Sequence, residues 1–386
     1  MKIGVVIEHF DPRRGGAEHW TWQFVERLLA RRHEVHVVSQ QFSAEAGRLP
    51  IVAHALERIR GRLRLARTVE AELGRIPLDV VHDMGVGWRC DLFHSHDGSR
   101  FAQWERKLLL LPRWARPWKR ALIGLLPRYA EFRRLMARQF AESCSLVLAL
   151  SRMVASDFQH YHGVRPERIR LVYNGVDVRR FSPEHRGKHR RECRGRLGVA
   201  DGEVLFLFVG HNFRLKGLAT AIRAVGRLHA AHQPVRLAVV GGGLIAGHAQ
   251  LAARCGVLSA VTFVGGVDDP VPYYAAADAF VLPTFYDSCG LGVLEAAASG
   301  LPSITTQANG AGELLTDGVD GYVLADPADD QGLADRMQTL LDAPLRDRMG
   351  QAARLLALRH TLDQNCDQIE AIYREIVESK RGGTGR

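Results

Sequence analysis

The amino-acid sequence predicts an α/β protein made of two Rossmann-like domains with a cleft between them. Its 386 residues exceed what one hydrophobic core usually organises, so two domains are expected. Two successive series of short, β-branched apolar runs alternate with helical stretches, which is typical of buried parallel strands joined by helices. A polar, charged stretch at residues 182–200 separates the two series and suits a connection between domains.

The strands are predicted from runs of β-branched residues. The first series contains MKIGVVI, HEVHVVSQ, LDVVHDM and SLVLALS, with a helix over residues 17–31. The second series starts near residue 203 and contains EVLFLFVG, VRLAVVGGG, AVTFVGG, AFVLPT and PSITT. We therefore predict an N-terminal domain at 1–182, a C-terminal domain at 183–360, and a terminal helix at 361–386 whose tail, KRGGTGR, is disordered.

The composition favours a soluble globular enzyme, because 46% of the residues are hydrophobic and 24% are charged. The cysteines form neither a CxxC pair nor a Cys/His cluster, so no zinc site and no disulfide framework is expected. They are Cys90, Cys144, Cys193, Cys255, Cys289 and Cys366. The sequence shows neither a signal peptide nor an apolar run of 18 residues. A reducing, cytoplasmic location is expected.

Residues 100–140 form a basic, amphipathic insert. Its first 39 residues, 100–138, contain eleven Arg and Lys but only two acids. Three of the six tryptophans lie in it: Trp104, Trp114 and Trp118. This composition is typical of an interfacial helix on anionic lipid, and Leu109–Leu111 with Leu125–Leu126 favour a membrane over nucleic acid. We expect peripheral binding to the inner face of the cytoplasmic membrane; the alternative is helices packed on the N-terminal domain with solvated arginines.

The first candidate site is a glycine turn after the first strand. Gly15 and Gly16 lie between that strand and a helix, where a backbone without side chains lets N–H groups approach an anion or a sugar. The alternative is a tight turn without a ligand. An NAD-dependent oxidoreductase would need GxGxxG here, but only Gly15 and Gly16 precede Ala17.

The second candidate site is the loop in FVGHNFRLKGLATAI. A strand ends at Gly210 and a helix begins near Gly217, with Arg214 and Lys216 between them. Two cations at a helix N-terminus are suited to hold a diphosphate and to stabilise the charge that it gains on leaving. An exposed basic turn is the alternative.

The third and most specific candidate is PTFYDSCGLGVLEAAASGLPSITT. It combines a strand, Asp287, a helix start at Gly290 and Gly292, and a second acid at Glu295. Glycines at the helix start allow close approach of a phosphate to free N–H groups. One acid suits sugar hydroxyls and the other a ribose diol. The alternative is that Asp287 only caps the helix and Glu295 forms an internal salt bridge.

These motifs, taken in this order, resemble the retaining glycosyltransferases of family 4, which have the GT-B fold. The likeness covers nearly the whole chain and includes the glycine turn, the segment YNGVD at Tyr173–Asp177, the RLKG loop and the acid pair from Asp287 to Glu295. Within the family, the chain is most similar to the lipopolysaccharide core glucosyltransferase type, through the basic insert and LALSRMVASDFQHYHGVRPERIRLV.

The resemblance implies roles for particular residues. Lys216 and Arg214 would bind the donor diphosphate, Glu295 the ribose and Asp287 the transferred sugar. Gly290, Leu291 and Gly292 would supply backbone amides, beside Gly210, Gly15 and Gly16. Two positions depart from the family: Asp287 stands where most members have Glu, and His211 where many have Arg. The shorter Asp287 places the contact with the transferred sugar in question. The histidine at position 211 makes binding of the diphosphate depend more on Lys216.

The resemblance further implies a UDP-sugar donor, with glucose as the hexose, a lipid-linked saccharide acceptor and retention of the anomeric configuration. No metal is expected, because no DxD-like motif lies near the donor residues. On the acceptor side, His94, His96 and Asp97 follow a strand, and Asp97 is the preferred polar residue; His82 is expected to be a core histidine. The alternatives are a GDP-mannose-dependent mannosyltransferase and a catalytically silent, membrane-associated nucleotide-binding scaffold.

Overall fold

The computed structural model describes residues 1–141 and 146–383, which form two compact units. The first unit comprises Met1–Tyr173 and Asp363–Arg386, and the second comprises Asn174–Leu362. Several parts of the predictions lie outside the described residues: Cys144, residues 384–386 of the tail, and the side chains of Leu125 and Arg128.

The first unit is built on a parallel sheet covered by helices. Its strands are β1 (Lys2–Val6), β2 (His9–Phe10), β3 (Glu34–Ser39), β4 (Gln41–Phe42), β5 (Val52–Ala55), β6 (Val80–Asp83), β7 (Leu92–His94), β8 (Leu146–Ala149) and β9 (Ile169–Leu171). Its helices are α1 (Gly16–Ala30), α2 (Arg62–Leu73), α3 (Arg100–Leu108), α4 (Ala115–Leu125), α5 (Pro127–Gln139), α6 (Arg152–His162) and α14 (Leu362–Gly383). The main sheet has the strand order β5-β3-β1-β6-β7-β8-β9. Successive strands are added on one side of β1 and then on the other, so the strand order reverses at β1, as in Rossmann-like folds.

The second unit repeats this architecture. Its strands are β10 (Val204–Val209), β11 (Val235–Val240), β12 (Val261–Gly265), β13 (Ala279–Val281), β14 (Ser303–Thr306) and β15 (Gly321–Leu324). Its helices are α7 (His185–Arg196), α8 (Leu218–Ala230), α9 (Ala246–Arg254), α10 (Val271–Ala276), α11 (Leu291–Ala298), α12 (Asp330–Thr339) and α13 (Ala343–Leu358). The sheet order β12-β11-β10-β13-β14-β15 reverses at β10. The prediction of two Rossmann-like α/β domains is confirmed.

The prediction that residues 182–200 connect the two domains is wrong, because these residues belong to the second unit. Most of them form α7, which packs on α10 in the second unit. Two of its arginines point inward, because Arg190 and Arg194 form ion pairs of 2.5 and 2.9 Å with the buried carboxylate of Asp278. The many charged residues suggested a solvated linker, but two of them, Arg190 and Arg194, neutralise the buried Asp278 at the start of β13.

The terminal helix belongs to the first unit rather than forming a separate tail. The last predicted helical stretch is divided into α13 and α14, and α14 continues to Gly383, so residues 380–383 of the predicted disordered tail are helical. Tyr373 of α14 is fully buried and hydrogen-bonds to Nδ1 of His82 at 2.6 Å. Lys380 pairs with Asp91 at 2.7 Å. The unit boundary at Tyr173 also precedes the predicted boundary at residue 182.

The basic insert folds into the three helices α3, α4 and α5. Trp104 packs edge-on against Tyr129 and Phe132, with ring centroids 4.6 and 5.8 Å apart. Trp114 and Trp118 are instead 77% and 78% exposed, and no described side chain of α4 is buried. Within the described residues, no helix is long and apolar enough to cross a membrane.

Candidate functional site

The loop between β10 and α8 holds Lys216 close to the carboxyl end of β13. Gly217 has a φ of +78°, and a Cβ there would lie 1.9 Å from the carbonyl oxygen of Pro283. Only glycine permits this approach, since the conformation is left-handed and the space is filled by backbone. Lys216 is consequently half-buried, whereas Arg214 is exposed.

Lys216 and Asp287 form an ion pair. The ammonium Nζ of Lys216 donates to Oδ2 of Asp287, and both side chains are largely shielded from solvent. The backbone of Asp287 is itself anchored, because its N–H donates to the carbonyl of Ala308 at 2.9 Å. The two residues that the sequence assigns to diphosphate and to sugar therefore meet in the second unit.

The glycine-rich start of α11 presents fewer free amides than predicted. The N–H of Gly290 donates to Oδ1 of Asn309 at 2.9 Å, and the same oxygen accepts from the N–H of Ala311 at 3.1 Å. Leu291 and Gly292 open the helix, so their N–H groups have no intrahelical acceptor. Of the three predicted amide donors, Gly290 is engaged by Asn309, and the role of Leu291 and Gly292 stays a prediction.

Glu295 lies on α11, one to two turns beyond the helix start. Its Oε2 accepts a hydrogen bond of 2.7 Å from the hydroxyl of Tyr274, a residue of α10 that is 1% exposed. Burial raises the pKa of Glu295, while the Tyr274 hydrogen bond and then the charge of Arg180 oppose that rise. Tyr274 therefore fixes the orientation of the carboxylate and favours its ionised form.

Two further predicted residues border this loop. His211 is exposed, and its Nδ1 accepts a hydrogen bond of 3.3 Å from the N–H of Gly242. Gly210 lies against Lys216, since a Cβ at Gly210 would be 3.4 Å from Cγ of that lysine. The histidine found in place of arginine is thus tied to the neighbouring β11 loop.

Gly15, Gly16 and Asp97 belong to the first unit. Gly15 has extended backbone and precedes α1, which starts at Gly16. The Asp97 side chain is 55% exposed and pairs with Arg100 at 2.8 Å. The predicted acceptor-side acid is thus partly neutralised by a cation three residues further on.

Three histidines near Asp97 lie in a row, of which His82 and His94 are fully buried and His96 is partly buried. Nε2 of His82 hydrogen-bonds to Nδ1 of His94 at 3.2 Å, and the rings of His94 and His96 lie 4.0 Å apart. Burial lowers the pKa of His82 to about 3 and that of His96 to about 4, so these rings are neutral at pH 7. His82 is the satisfied core histidine that the sequence predicts.

A cavity of about 230 Å³ lies in the first unit next to His96 and Asp97. It opens at the carboxyl ends of β1, β6 and β7, and Arg62 and Arg100 line it together with side chains of α5.

Sequence reasoning missed Arg62, Tyr274 and Asn309. Their roles depend on partners distant in sequence, and no motif marks them.

Among the described residues, no group of three or more His, Cys, Asp and Glu side chains is arranged to hold a metal ion.

Comparison with known proteins places the chain in a family. Residues 14–180 match the model described as Glycosyltransferase Family 4, and residues 189–356 match the model described as Glycosyl transferases group 1.

Curated relatives match most of the chain. The lipopolysaccharide glucosyltransferase WaaG of Escherichia coli (strain K12) is 31% identical over 88% of this chain and 90% of that protein. The D-inositol 3-phosphate glycosyltransferase of Corynebacterium jeikeium (strain K411) is 30% identical over 79% of this chain and 77% of that protein. With the protein of the same name from Thermobifida fusca (strain YX), the match spans only 54% of that relative's length.

Solved structures share the fold. The crystal structure of WaaG covers 96% of this chain and 99% of its own, with a TM-score of 0.80 and 24% identity. Anabaena HepE in complex with UDP and glucose covers 96% of this chain and 98% of its own, with a TM-score of 0.73 and 22% identity. The predicted fold, two Rossmann-like domains of the GT-B class, is confirmed, as is the resemblance to family 4.

Proposed function

The chain belongs to the group 1 and family 4 glycosyltransferases, and from this premise we propose that it transfers glucose from UDP-glucose to a lipid-linked saccharide with retention at the anomeric carbon. The observation that carries the proposal is the meeting of Lys216, Asp287 and the start of α11 in one unit. A cation, a carboxylate and free helix amides together suit a diphosphate joined to a sugar.

The donor is proposed to replace the existing ion pair. Its diphosphate takes the ammonium of Lys216 and the amides of Leu291 and Gly292, which releases the carboxylate of Asp287 for the hydroxyls of the sugar. Glu295, held by Tyr274, accepts hydrogen bonds from the ribose diol. Arg214 is exposed beside this site and adds positive potential, and Gly210, which lies against Lys216, is proposed to contact the donor through its backbone.

The transfer is proposed to occur on one face of the sugar. The bond from the anomeric carbon to the diphosphate oxygen breaks while the acceptor oxygen bonds to the same face. The acceptor proton passes to the departing phosphate oxygen, so no protein nucleophile is required. Lys216 stabilises the negative charge that develops on the diphosphate, and this cation is why we propose activity without a metal.

The acceptor is proposed to be a lipopolysaccharide core saccharide, because WaaG is by its name a lipopolysaccharide glucosyltransferase. The donor is proposed to be a UDP-sugar, because HepE is seen with UDP and glucose. A lipid-linked acceptor requires the enzyme to work at a membrane surface. The exposed Trp114 and Trp118, among the basic residues of α4, support docking on the anionic inner face of the cytoplasmic membrane.

The proposal is tested by a donor panel. UDP-glucose, UDP-galactose, UDP-N-acetylglucosamine, GDP-mannose and ADP-glucose are incubated with a truncated lipopolysaccharide acceptor, with and without EDTA. We expect UDP release and an α-linked glucose, identified by the small anomeric proton coupling in NMR, and unchanged turnover in EDTA. Transfer from GDP-mannose alone would favour the mannosyltransferase, and loss of turnover in EDTA would contradict metal-free catalysis.

A further inference from the structure

One peptide group just before α11 is held from both sides. This group, the clamped peptide, joins the carbonyl of Cys289 to the N–H of Gly290, and because a trans peptide is planar the two point in opposite directions. Nδ2 of Asn174 donates to the carbonyl oxygen at 2.9 Å. Oδ1 of Asn309 accepts from the N–H at 2.9 Å. Two side chains thus fix the orientation of a single peptide.

Asn309 is firmly placed. Its side chain is fully buried, and its Nδ2 donates to Oγ1 of Thr305 at 3.0 Å. The backbone on either side of it is tied to Asp287, because the N–H of Asp287 donates to the carbonyl of Ala308 and the N–H of Gly310 donates to the carbonyl of Asp287, both at 2.9 Å. The same segment therefore holds Asp287 and one end of the clamped peptide.

Asn174 is anchored within the second unit. It directly follows Tyr173, where the chain leaves the first unit, and it is 4% exposed. Two residues later, the N–H of Val176 donates to the carbonyl of His360, and the carbonyl of Val176 accepts from the N–H of Leu362, both at 3.0 Å. The backbone that carries Asn174 is thus fixed close to the residue that holds the other end of the clamped peptide.

Asn174 is not explained by stability alone. Its Oδ1 is buried and has no hydrogen-bond partner in the described part of the chain. Rotating the amide by half a turn would not help, since Oδ1 would then face the carbonyl oxygen of Cys289. A buried amide with an unpaired oxygen is unfavourable compared with an apolar side chain. The bond to Cys289 is what this position gains from an asparagine.

The clamped peptide directly precedes the free amides of α11. The N–H groups of Leu291 and Gly292 have no intrahelical acceptor, and their directions depend on the orientation of the peptide before them. The fit at this point is close, because a Cβ at Gly290 would lie 2.9 Å from Oδ2 of Asp287. A side chain that fixes the clamped peptide therefore also fixes the start of the helix beside Asp287.

We propose that Asn174 is a positioning residue for the donor diphosphate. Together with Asn309 it holds the clamped peptide, so that the amides of Leu291 and Gly292 are oriented toward the phosphate oxygens before the donor binds. A site that is oriented in advance loses less conformational freedom on binding. The assignment rests on the proposed function, because the diphosphate is the ligand proposed for these amides.

The test separates the diphosphate from the nucleoside. Calorimetry gives the Kd of UDP, and ligand-observed NMR titration gives the Kd of uridine, which carries no phosphate. We expect Asn174→Ala to weaken UDP binding by about tenfold and to leave uridine binding within about twofold, because the clamp acts on the amides that meet the phosphates.

Asn365→Ala is the matched control. Asn365 is also 4% exposed, donates to a backbone carbonyl, that of Tyr173, at 2.6 Å, and has a buried Oδ1 without a hydrogen-bond partner among the described residues, but it lies in the first unit. Its replacement should lower the unfolding temperature and leave the Kd of UDP within about twofold.

Three outcomes would overturn the inference. They are unchanged UDP binding in Asn174→Ala, equal losses for UDP and uridine, which would indicate general damage to the second unit, and an equal loss of UDP binding in Asn365→Ala. Thermal unfolding shows whether each variant is folded. Asn174→Ser, whose shorter side chain does not reach the carbonyl of Cys289, serves with the same expected results if Asn174→Ala is not.

UDP binding by the wild type is measured first. Failure of the wild type to bind UDP defeats the proposed function. Binding of UDP by the wild type, with no selective loss in Asn174→Ala, defeats this inference alone.

Discussion

Lys216 and Asp287 are 71 residues apart in the sequence and form an ion pair in the second unit. One follows β10 and the other precedes α11, so the pair joins the two loops to which we assign the donor. The carboxylate neutralises the amine while no diphosphate is bound. On the proposed function, donor binding separates the pair, and this exchange has measurable consequences.

Changing Asp287→Asn should strengthen UDP binding while weakening catalysis. Removing the competing carboxylate leaves the ammonium of Lys216 available, so we expect the Kd for UDP to fall by about threefold to tenfold. The lost sugar contact should lower kcat by about 10²-fold. Calorimetry with UDP and the rate of UDP release from UDP-glucose check these two effects. Asp268→Asn is the control, because Asp268 is exposed and has no partner among the described residues. Weaker UDP binding in Asp287→Asn would contradict the exchange.

Changing Tyr274→Phe should raise the donor KM and leave kcat within about twofold. The lost hydrogen bond to Glu295 involves a charged acceptor, for which about 1.5 kcal/mol corresponds to roughly tenfold in KM.

The same variant should shift the pH dependence of donor binding. Burial already raises the pKa of Glu295, and the Tyr274 hydrogen bond opposes this. Without that bond the carboxylate protonates at higher pH, so the acid limb of kcat/KM for the donor should move upward. Tyr273→Phe is the neighbouring control. A purely structural role for Tyr274 would leave the acid limb in place.

Changing Gly217→Ala should destabilise the second unit by more than about 2 kcal/mol. The residue has a positive φ, and a Cβ would collide with the carbonyl of Pro283. Gly247→Ala is the matched control, because Gly247 lies in α9 with open space around it and should gain about 0.5 kcal/mol. Urea unfolding measures both changes, and a Gly217→Ala variant as stable as the wild type would refute the close packing of this loop.

The first unit should lose stability as the pH falls below 6.5. The pKa values of His82 and His96 are lowered by burial to about 3 and about 4, so the unfolded chain binds more protons than the native chain in this range. The contribution of the two histidines to the free energy of unfolding is complete above pH 6.5. As the pH falls below 6.5, it declines by up to about 1.4 kcal/mol per pH unit for each histidine. Asp83, whose pKa burial raises to about 6, offsets part of this loss below pH 6.

Thermal unfolding at pH 7.5, 6 and 5 measures this loss. His82→Gln should flatten the pH dependence, and His160→Gln, at an exposed position, should leave it unchanged. Identical slopes in the wild type and His82→Gln would show that this buried histidine does not contribute.

Changing Trp114→Ala together with Trp118→Ala should reduce binding to anionic vesicles by about tenfold or more. The two side chains are almost fully exposed on α4, where they have no packing role to lose. Co-sedimentation with phosphatidylglycerol vesicles measures the effect. Leu244→Ala removes an exposed apolar side chain from the second unit and is the control. Equal binding by the double variant and the wild type would contradict docking through α4.

The sequence predicts most of the fold because buried parallel strands have continuous β-branched runs, as in β10 and β11. It also predicts which loops carry Lys216 and Asp287, since glycine and charge concentrate there. It mispredicts α7, because a helix that uses arginines to satisfy the buried Asp278 has the composition of a solvated linker.

The supporting residues of the site were not predictable in the same way. Tyr274 and Asn309 act through hydrogen bonds to Glu295 and Gly290, which lie on another element. Arg62 meets Phe132 only through the packing of α2 on α5. Such roles arise from tertiary contacts, and neither periodicity nor spacing in the sequence encodes them.

The most direct test of the account is the slow release of UDP from UDP-glucose by the wild type, Lys216→Ala and Arg223→Ala. Arg223 is exposed on α8, the helix that follows the Lys216 loop, and serves as the charge-matched control. We predict release by the wild type and by Arg223→Ala, and a loss of about 10²-fold or more in Lys216→Ala. Equal release by Lys216→Ala, or no release and no thermal shift with any nucleotide sugar, would contradict the proposed donor chemistry and favour a silent scaffold.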